Sequence, residues 1–212
     1  MNHNPINAFW SYFKENNFVF LLINEIPTEA TTHFKKLNKL LLEYNQNLGV
    51  IIKNGKSKSE LIITAHGNPY LFKEVELLVH FAPKIERWKI AAFVSPEKDI
   101  SKYKNGTDKP FEFYGIRLKI SEMFFTPMEK PRKPQNLGIC VYINNYIFHK
   151  GNPKLREAVY IQIEHLIGEK SFANDITFID ITQIPTTHAS LFKLCYLASF
   201  IKDFNEDLDT AT

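Results

Sequence analysis

The chain has 212 residues, of which 44% are hydrophobic and 14% aromatic, and its formal net charge is +3. The length suits one large domain or two small ones, and the 18 Phe and 9 Tyr exclude a disordered chain. Nucleic-acid-binding domains usually carry a much stronger positive charge, so the sequence argues against a nucleic-acid partner.

The cysteines and the N-terminus indicate the compartment. Cys140 and Cys195 each lie in an apolar run without a metal-ligating neighbour, as buried free thiols do in a reducing compartment. Residues 1–5 lack the basic start of a signal peptide, and apolar runs such as residues 18–23 are far shorter than the ~20 residues that span a bilayer. We therefore expect a soluble cytoplasmic protein with no membrane partner.

Two helices are predicted at the start of the chain. Residues 5–16 place large side chains on one helical face, and residues 18–23 are ambiguous, with helix slightly favoured over strand. Residues 28–44 form an amphipathic helix for which Thr28 is the expected N-cap. The predicted buried positions of these helices are Ile6, Phe9, Trp10, Phe13, Ala30, Phe34, Leu37, Leu41 and Tyr44.

A strand–helix–strand segment over residues 60–94 organises the first half of the chain. Residues 48–53 form a strand that turns back at Asn54-Gly55 into the apolar strand beginning at residue 60. Asn68 is a good N-cap and Pro69 suits the first helical position, so a helix begins there and ends before Pro83. Residues 88–94 then form a second strand.

The second half shows a similar alternation of elements. Residues 95–110 are polar and predict a surface linker, and residues 127–134 predict a basic, mobile loop. The remaining predicted elements are strands at 111–120, 137–143 and 176–181, a short strand at 123–125, and helices at 153–167 and 189–201.

An internal repeat is indicated by two matching stretches. Residues 48–53 resemble residues 114–119, and Gly-Asn-Pro with the apolar spacing after it occurs at both 67–69 and 151–153. Independent use of Gly-Asn-Pro at two helix starts is the alternative explanation.

The order of elements favours an α+β fold in one domain, residues 1–212. Two pseudo-repeated strand-strand-helix-strand units form a mixed sheet covered by helices, with extra N-terminal and C-terminal helices. The predicted parts are N-terminal helices at 5–46, repeat one at 48–94, a linker at 95–110, repeat two at 111–181 and a C-terminal helix at 189–201.

Several motifs resemble those of a family of uncharacterised bacterial proteins of similar size. They are the Phe-Trp-x2-Phe-x2-Asn opening at residues 9–16, Glu-Leu-Ile-Ile-Thr-Ala-His-Gly at 60–67, Ala-Pro at 82–83 followed by Trp88, and Leu-Ile-Gly-Glu at 166–169. The resemblance covers residues 8–185 and implies a bacterial cytoplasmic protein. It carries no activity and no site residues.

Four residues are candidates for a ligand site. His66 and His149 each lie shortly before a predicted helix start, and Asn68 and Asn152 cap those starts. Free backbone N–H groups at a helix N-terminus favour anions, so a cleft between the repeats flanked by both histidines is a possible catalytic or binding site. Ordinary loop histidines are the simpler explanation.

Other polar residues have structural explanations. His80 and His165 lie at predicted helix ends, where the helix dipole favours histidine. Glu164, beside His165, points about 100° away from it on a helix, so these residues with Glu169 form no metal site. Asp175, Asp180 and the loop residues Lys130, Arg132 and Lys133 are most simply solvated. No nucleophile-elbow, phosphate-loop or Cys-x2-Cys motif occurs, so we expect no cofactor and no metal.

The predicted C-terminal helix at 189–201 is apolar on most of its surface. It is expected to pack inside the fold with Phe192 and Phe200 buried, or to bind a protein partner or a second copy of the chain. Together these features predict a non-enzymatic binding or protein-interaction module. A small-molecule or phosphoester hydrolase using His66 and His149 is the alternative.

Overall fold

The computed structural model describes residues 4–55, 57–128, 137–186 and 190–210, with the backbone alone for 207–210. The chain divides into two compact units, Met1–Val94 and Ser95–Thr212, and each has its own hydrophobic core. Helices and mixed sheets occur together, which confirms the α+β class. In these described ranges, no helix combines the length and the apolar character needed to cross a membrane.

The first unit places two long helices before a three-stranded sheet. The strand order is β1-β2-β3, with β1 and β2 antiparallel and β2 and β3 parallel. Its elements are α1 (Pro5–Leu21), α2 (Pro27–Tyr44), β1 (Gly49–Lys53), β2 (Ser59–Thr64), a 3-10 turn (Pro69–Leu71), α3 (Phe72–His80) and β3 (Trp88–Ala92).

Helix α1 is anchored by aromatic side chains on one face. Phe9, Phe13 and Phe20 are fully buried, and the ring of Phe13 meets that of Trp88 edge to face at 4.9 Å. The indole N–H of Trp10 donates to the Leu78 carbonyl oxygen at 2.8 Å, which ties α1 to α3. The helix continues to Leu21, as the sequence slightly favoured, because Phe20 extends the same buried stripe.

The sequence predicts Asn68 and Thr28 as helix N-caps in this unit, and the prediction is correct for Asn68 and wrong for Thr28. The Asn68 side chain accepts from the Tyr70 N–H at 3.1 Å, and Pro69 follows at the first position, as expected. Thr28 was expected to cap α2, but the helix begins one residue earlier, at Pro27, and has no side-chain cap. Proline is already suited to the first helical position because it has no N–H to satisfy.

The second unit is built on a four-stranded sheet and a separate hairpin. Its elements are α4 (Ser101–Lys104), β4 (Phe111–Phe113), β5 (Ile116–Leu118), β6 (Phe124–Met128), β7 (Leu137–Ile143), α5 (Tyr146–His149), α6 (Leu155–Ile167), α7 (Glu169–Asp175), β8 (Ile176–Gln183), β9 (Phe192–Lys193) and α8 (Leu197–Thr210). The strand order of the sheet is β8-β7-β6-β9, in which only the β7–β8 pair is parallel, and β4 and β5 form the hairpin.

The region predicted as a surface linker is mostly exposed, but it contains a short helix and two buried side chains. Residues 95–110 contain α4, and Tyr103 and Asp108 are buried with 4% and 8% of their surface exposed. The single strand predicted at 111–120 is the β4–β5 hairpin. Tyr114 and Gly115 have φ values of 47° and 78°, as the two central residues of a type I′ turn require.

The predicted C-terminal helix at 189–201 is wrong over its first half. Phe192 and Lys193 are extended because they pair with β6, a 3-10 turn follows at Leu194–Tyr196, and α8 begins only at Leu197. Phe192 is 44% exposed rather than buried, and Ala189 lies outside the described residues. Strand pairing with a distant segment thus overrides the local helical spacing.

The basic loop and the single sheet also need correction. Pro127 and Met128 belong to β6, and Lys130, Arg132 and Lys133 lie outside the described residues. The strands in the described ranges form three separate sheets of three, two and four strands, not one mixed sheet.

Each unit contains an antiparallel strand pair followed by a crossover to a parallel strand. The elements are β1-β2-α3-β3 in the first unit and β6-β7-α6-β8, with α5 and α7, in the second. The matched residues 114–119 fall in the β4–β5 hairpin, so the sequence match misplaced the first strand of the second pair. Duplication itself stays a prediction.

Gly49 and Gly115, which occupy equivalent positions in the two similar stretches, have different structural roles. A Cβ on Gly49 would lie 2.5 Å from two atoms of the His66 ring, so Gly49 leaves space for that ring. A Cβ on Gly115 would meet nothing within 4 Å, and this glycine is needed for its positive φ.

Candidate functional site

His66 lies at the end of β2 in the first unit. It is exposed, has a left-handed φ of 52°, and its N–H donates to the Thr64 hydroxyl at 2.9 Å. Its ring occupies the space above Gly49. The observed contacts of His66 are therefore a local backbone hydrogen bond and the approach of its ring to Gly49 on β1.

His149 is the last residue of α5 in the second unit and is half-buried. Its carbonyl oxygen accepts from the Asn152 N–H at 2.8 Å, and in the first unit the same bond joins the Asn68 N–H to Ala65 at 3.0 Å. His149 therefore corresponds to Ala65 in these turns, and His66 is offset by one position.

Asn68 and Asn152 make the same turn. In each case the backbone carbonyl accepts from the N–H three residues later, at 3.1 Å and 3.0 Å. The side-chain oxygen accepts from the N–H two residues later, at 3.1 Å from Tyr70 and 2.9 Å from Lys154. These bonds are structural, and they engage the side-chain oxygen atoms of both candidate residues.

The other polar candidates lie in separate local contacts. His80 is exposed beside Phe81, with ring centroids 5.2 Å apart, and Glu169 is fully buried at the start of α7. Asp175 accepts from Ser171 at 2.6 Å, and Asp180 accepts from the N–H of its neighbour Ile181. Within the described part of the chain, no group of three or more His, Cys, Asp or Glu is arranged to hold a metal ion.

The two cysteines are free thiols. Burial raises the pKa of the Cys140 and Cys195 thiols. A thiol needs a lowered pKa to act as a nucleophile near neutral pH. Neither thiol is thus activated as a nucleophile, and Cys195 packs in the core of the second unit.

A charged cluster that the sequence analysis missed lies in the second unit. Lys102 Nζ donates to a Glu97 carboxylate oxygen at 2.7 Å, and that oxygen lies 3.6 Å from His165 Nε2. The Tyr103 hydroxyl lies 3.1 Å from the same His165 nitrogen. The Glu97 N–H donates to the carbonyl oxygens of His165 and Leu166 at the end of α6.

The cluster shifts the pKa of three of its members. Burial pushes the Glu97 pKa upward, but hydrogen bonds from Lys102 and the Asp99 N–H, with the charges of Lys102 and His165, hold it below its ordinary value. The hydrogen bond to Glu97 raises the pKa of Lys102, and burial raises that of Tyr103. The charges thus satisfy one another, and the cluster holds residues 97–103 against α6. The one sequence signal for it is Tyr103, an aromatic residue within a polar stretch.

A second feature of this unit is a set of exposed apolar side chains, Tyr114, Ile147 and Phe148, which we call the aromatic tip. Their exposed fractions are 71%, 63% and 83%. The Asn152 side chain donates to the Tyr114 carbonyl oxygen at 3.0 Å, which ties the β4–β5 turn to the turn after α5. The exposed Tyr114 side chain therefore lies on a turn that a long-range hydrogen bond holds in place.

The sequence gives only a partial signal for the aromatic tip. Ile147 and Phe148 are consecutive apolar residues between Gly-Asn-Pro and the end of β7, a pattern equally typical of a buried strand end. The hydrogen bond between Asn152 and Tyr114 joins residues 38 positions apart, so the sequence alone does not predict it.

The first unit also exposes apolar side chains. Tyr70 is 90% exposed, and Leu77 and Phe81 are 48% and 56% exposed around α3. A shallow depression on α2, lined by Lys39, Leu42, Glu43 and Gln46, contains none of the candidate residues.

No protein-family model matches the chain, and neither a curated protein nor a solved structure is significantly similar to it.

Proposed function

We propose that the chain is a non-enzymatic protein-binding module of a bacterial cytoplasm, and that the aromatic tip is its binding surface. The observation that carries this proposal is the exposure of Ile147 and Phe148, at 63% and 83%, as consecutive residues of α5. Free thiols, buried at Cys195 and half-buried at Cys140, suit a reducing compartment.

Burial of the exposed side chains of the tip by a partner protein would lower the free energy of the complex. Complete burial of an Ile or Phe side chain contributes about 1.5–3 kcal/mol. Such anchors contribute most of the binding free energy in protein interfaces. Because the hydrogen bond from Asn152 holds the Tyr114 turn, less conformational entropy is lost when a partner binds.

The experiment uses the immobilised full chain to capture proteins from a bacterial lysate. Capture is quantified in parallel for the wild type, Ile147→Ser/Phe148→Ser and a matched control, Tyr70→Ser. All three changes remove exposed side chains, so the fold should persist in each variant. We expect one or more proteins to be captured by the wild type and by Tyr70→Ser, and to be at least tenfold depleted in the double variant.

A second measurement covers the alternatives. Sedimentation velocity reports whether the partner is a second copy, either through the tip or through the C-terminal helix. p-Nitrophenyl esters and phosphates report hydrolase activity. The proposal would be overturned if the double variant captured the same proteins in the same amounts as the wild type. It would also be overturned by a hydrolase activity that His66→Ala or His149→Ala abolishes.

A further inference from the structure

The surroundings of the aromatic tip carry an excess of positive charge. Residues 144–156 contain Lys150, Lys154 and Arg156 and no acidic residue. Lys154 is paired with Glu157 at 2.6 Å, and its ammonium group lies 5.4 Å from the centre of the Tyr114 ring. Lys154 therefore lies beside the Tyr114 ring, and Lys150 follows Phe148 by two positions at the end of α5.

Within the part of the chain that the structure describes, two of these cations have no acidic partner. Among the described residues, neither Lys150 nor Arg156 forms an ion pair, and both are exposed. Arg117, just after the β4–β5 turn, is 69% exposed and only loosely paired with Glu112, at 3.9 Å. The rim of the tip is thus open to carboxylates from another molecule.

From this charge pattern we infer that the tip binds a partner protein through a segment in which apolar side chains are flanked by Asp or Glu. The inference rests on the proposed function and specifies the chemistry of the partner. The apolar side chains cover Ile147 and Phe148, and the carboxylates pair with Lys150 and Arg156. Charges at the rim of an interface increase the association rate and select partners of the opposite charge.

A single-stranded nucleic acid also combines negative charge with flat rings, but the tip suits it less well. Strand-binding proteins use a positively charged groove that follows several phosphates, together with a row of aromatic rings. Among the described residues, the cations near the tip in sequence that form no ion pair are Lys150 and Arg156, and Arg156 donates a hydrogen bond to the Tyr160 hydroxyl at 3.4 Å. Ile147 offers a branched aliphatic side chain without a ring. These features favour a protein segment.

The test uses a displayed library of random twelve-residue peptides and the full-length chain. Selections on the wild type, on Ile147→Ser/Phe148→Ser and on Tyr70→Ser show which peptides depend on the tip. We expect tip-dependent peptides with at least one aromatic or large aliphatic residue and a marked excess of Asp and Glu.

Charge reversal then separates this inference from the proposed function. For the best peptide, Lys150→Glu should weaken binding about three- to tenfold, since it replaces an exposed attraction by a repulsion. Lys150→Arg should bind as the wild type does. Loss of Phe148 should weaken binding about thirtyfold or more, as for an interface anchor.

Each other outcome contradicts the acidic-partner inference alone or together with the protein-binding proposal. Tip-dependent peptides that are neutral or basic, or that ignore Lys150→Glu, overturn the acidic-partner inference and leave the protein-binding proposal intact. Absence of any tip-dependent peptide overturns the inference as well, and the proposal is then judged by lysate capture. Phe148-dependent binding of a thymidine 20-mer that is tighter than any peptide overturns both.

Discussion

The Tyr103 hydroxyl lies 3.1 Å from Nε2 of His165, across 62 positions of the chain. Through this contact and the Glu97 carboxylate, a short polar stretch is held on the end of α6. The ring of Tyr103 is buried while its hydroxyl meets a polar partner, which is the usual arrangement for a tyrosine in a core.

Removal of that hydroxyl should measure the contribution of the contact to stability. We expect Tyr103→Phe to lower the free energy of unfolding by about 0.5–1.5 kcal/mol, the usual net value of one hydrogen bond. Urea denaturation gives the measurement. Tyr114→Phe is the matched control and should change stability by less than about 0.5 kcal/mol, because that side chain is 71% exposed. Equal effects of the two changes would show that the hydroxyl of Tyr103 does not stabilise the fold.

The pH dependence of stability should report on Glu97. Its folded pKa is depressed, so its carboxylate stabilises the fold fully above the unfolded pKa of about 4.3 and loses this contribution as the pH falls through the lower, folded value. We therefore expect Glu97→Gln to be less stable than the wild type at pH 7, with the difference shrinking steadily below about pH 4.3. Urea unfolding of both proteins at pH 7, 5, 4 and 3 tests this, and a difference that grows on acidification would contradict it.

The contact of Gly49 with the His66 ring predicts an energetic coupling. Gly49→Ala should destabilise the fold by about 1–3 kcal/mol, because the added methyl group meets the ring and the Thr64 side chain. In the His66→Ala background the cost should be smaller, since only the Thr64 contact remains. A double-mutant cycle measured by denaturation gives the coupling, and identical costs in both backgrounds would show that the ring does not occupy this space.

The C-terminal segment is expected to stabilise the second unit. Leu194, Cys195, Leu197 and Ile201 are buried in its core. Leu197→Ala should therefore cost about 2–5 kcal/mol. Its neighbour Tyr196 is 42% exposed and makes a cation–π contact with Lys104, so Tyr196→Ala should cost about 1 kcal/mol or less.

Truncation extends the same argument. Deletion of residues 189–212 removes all four buried side chains and should leave an unfolded or insoluble product, because the loss approaches the whole stability of a typical domain. Circular dichroism and thermal unfolding are the measurements. A soluble, cooperatively folding truncation would show that the segment is peripheral.

The sequence by itself determined those features that depend on neighbouring residues. The buried positions of α6 follow from the spacing of Leu155, Val159, Ile163 and Leu166, and all four are buried as expected. The turn at Asn68-Pro69 follows from one side-chain cap and one fixed φ angle. Such features can be predicted from the sequence because the residues that stabilise them lie within a few positions of one another along the chain.

Tertiary structure alone decided the rest. Phe192 and Lys193 are extended because β6 offers an open edge, although their local spacing favours a helix. The Glu97 cluster and the tie between Asn152 and Tyr114 likewise join residues that are far apart in sequence. Hydrogen bonds and charge pairs form wherever packing brings two groups together. The spacing of residues along the sequence does not show which distant segments will pack against each other.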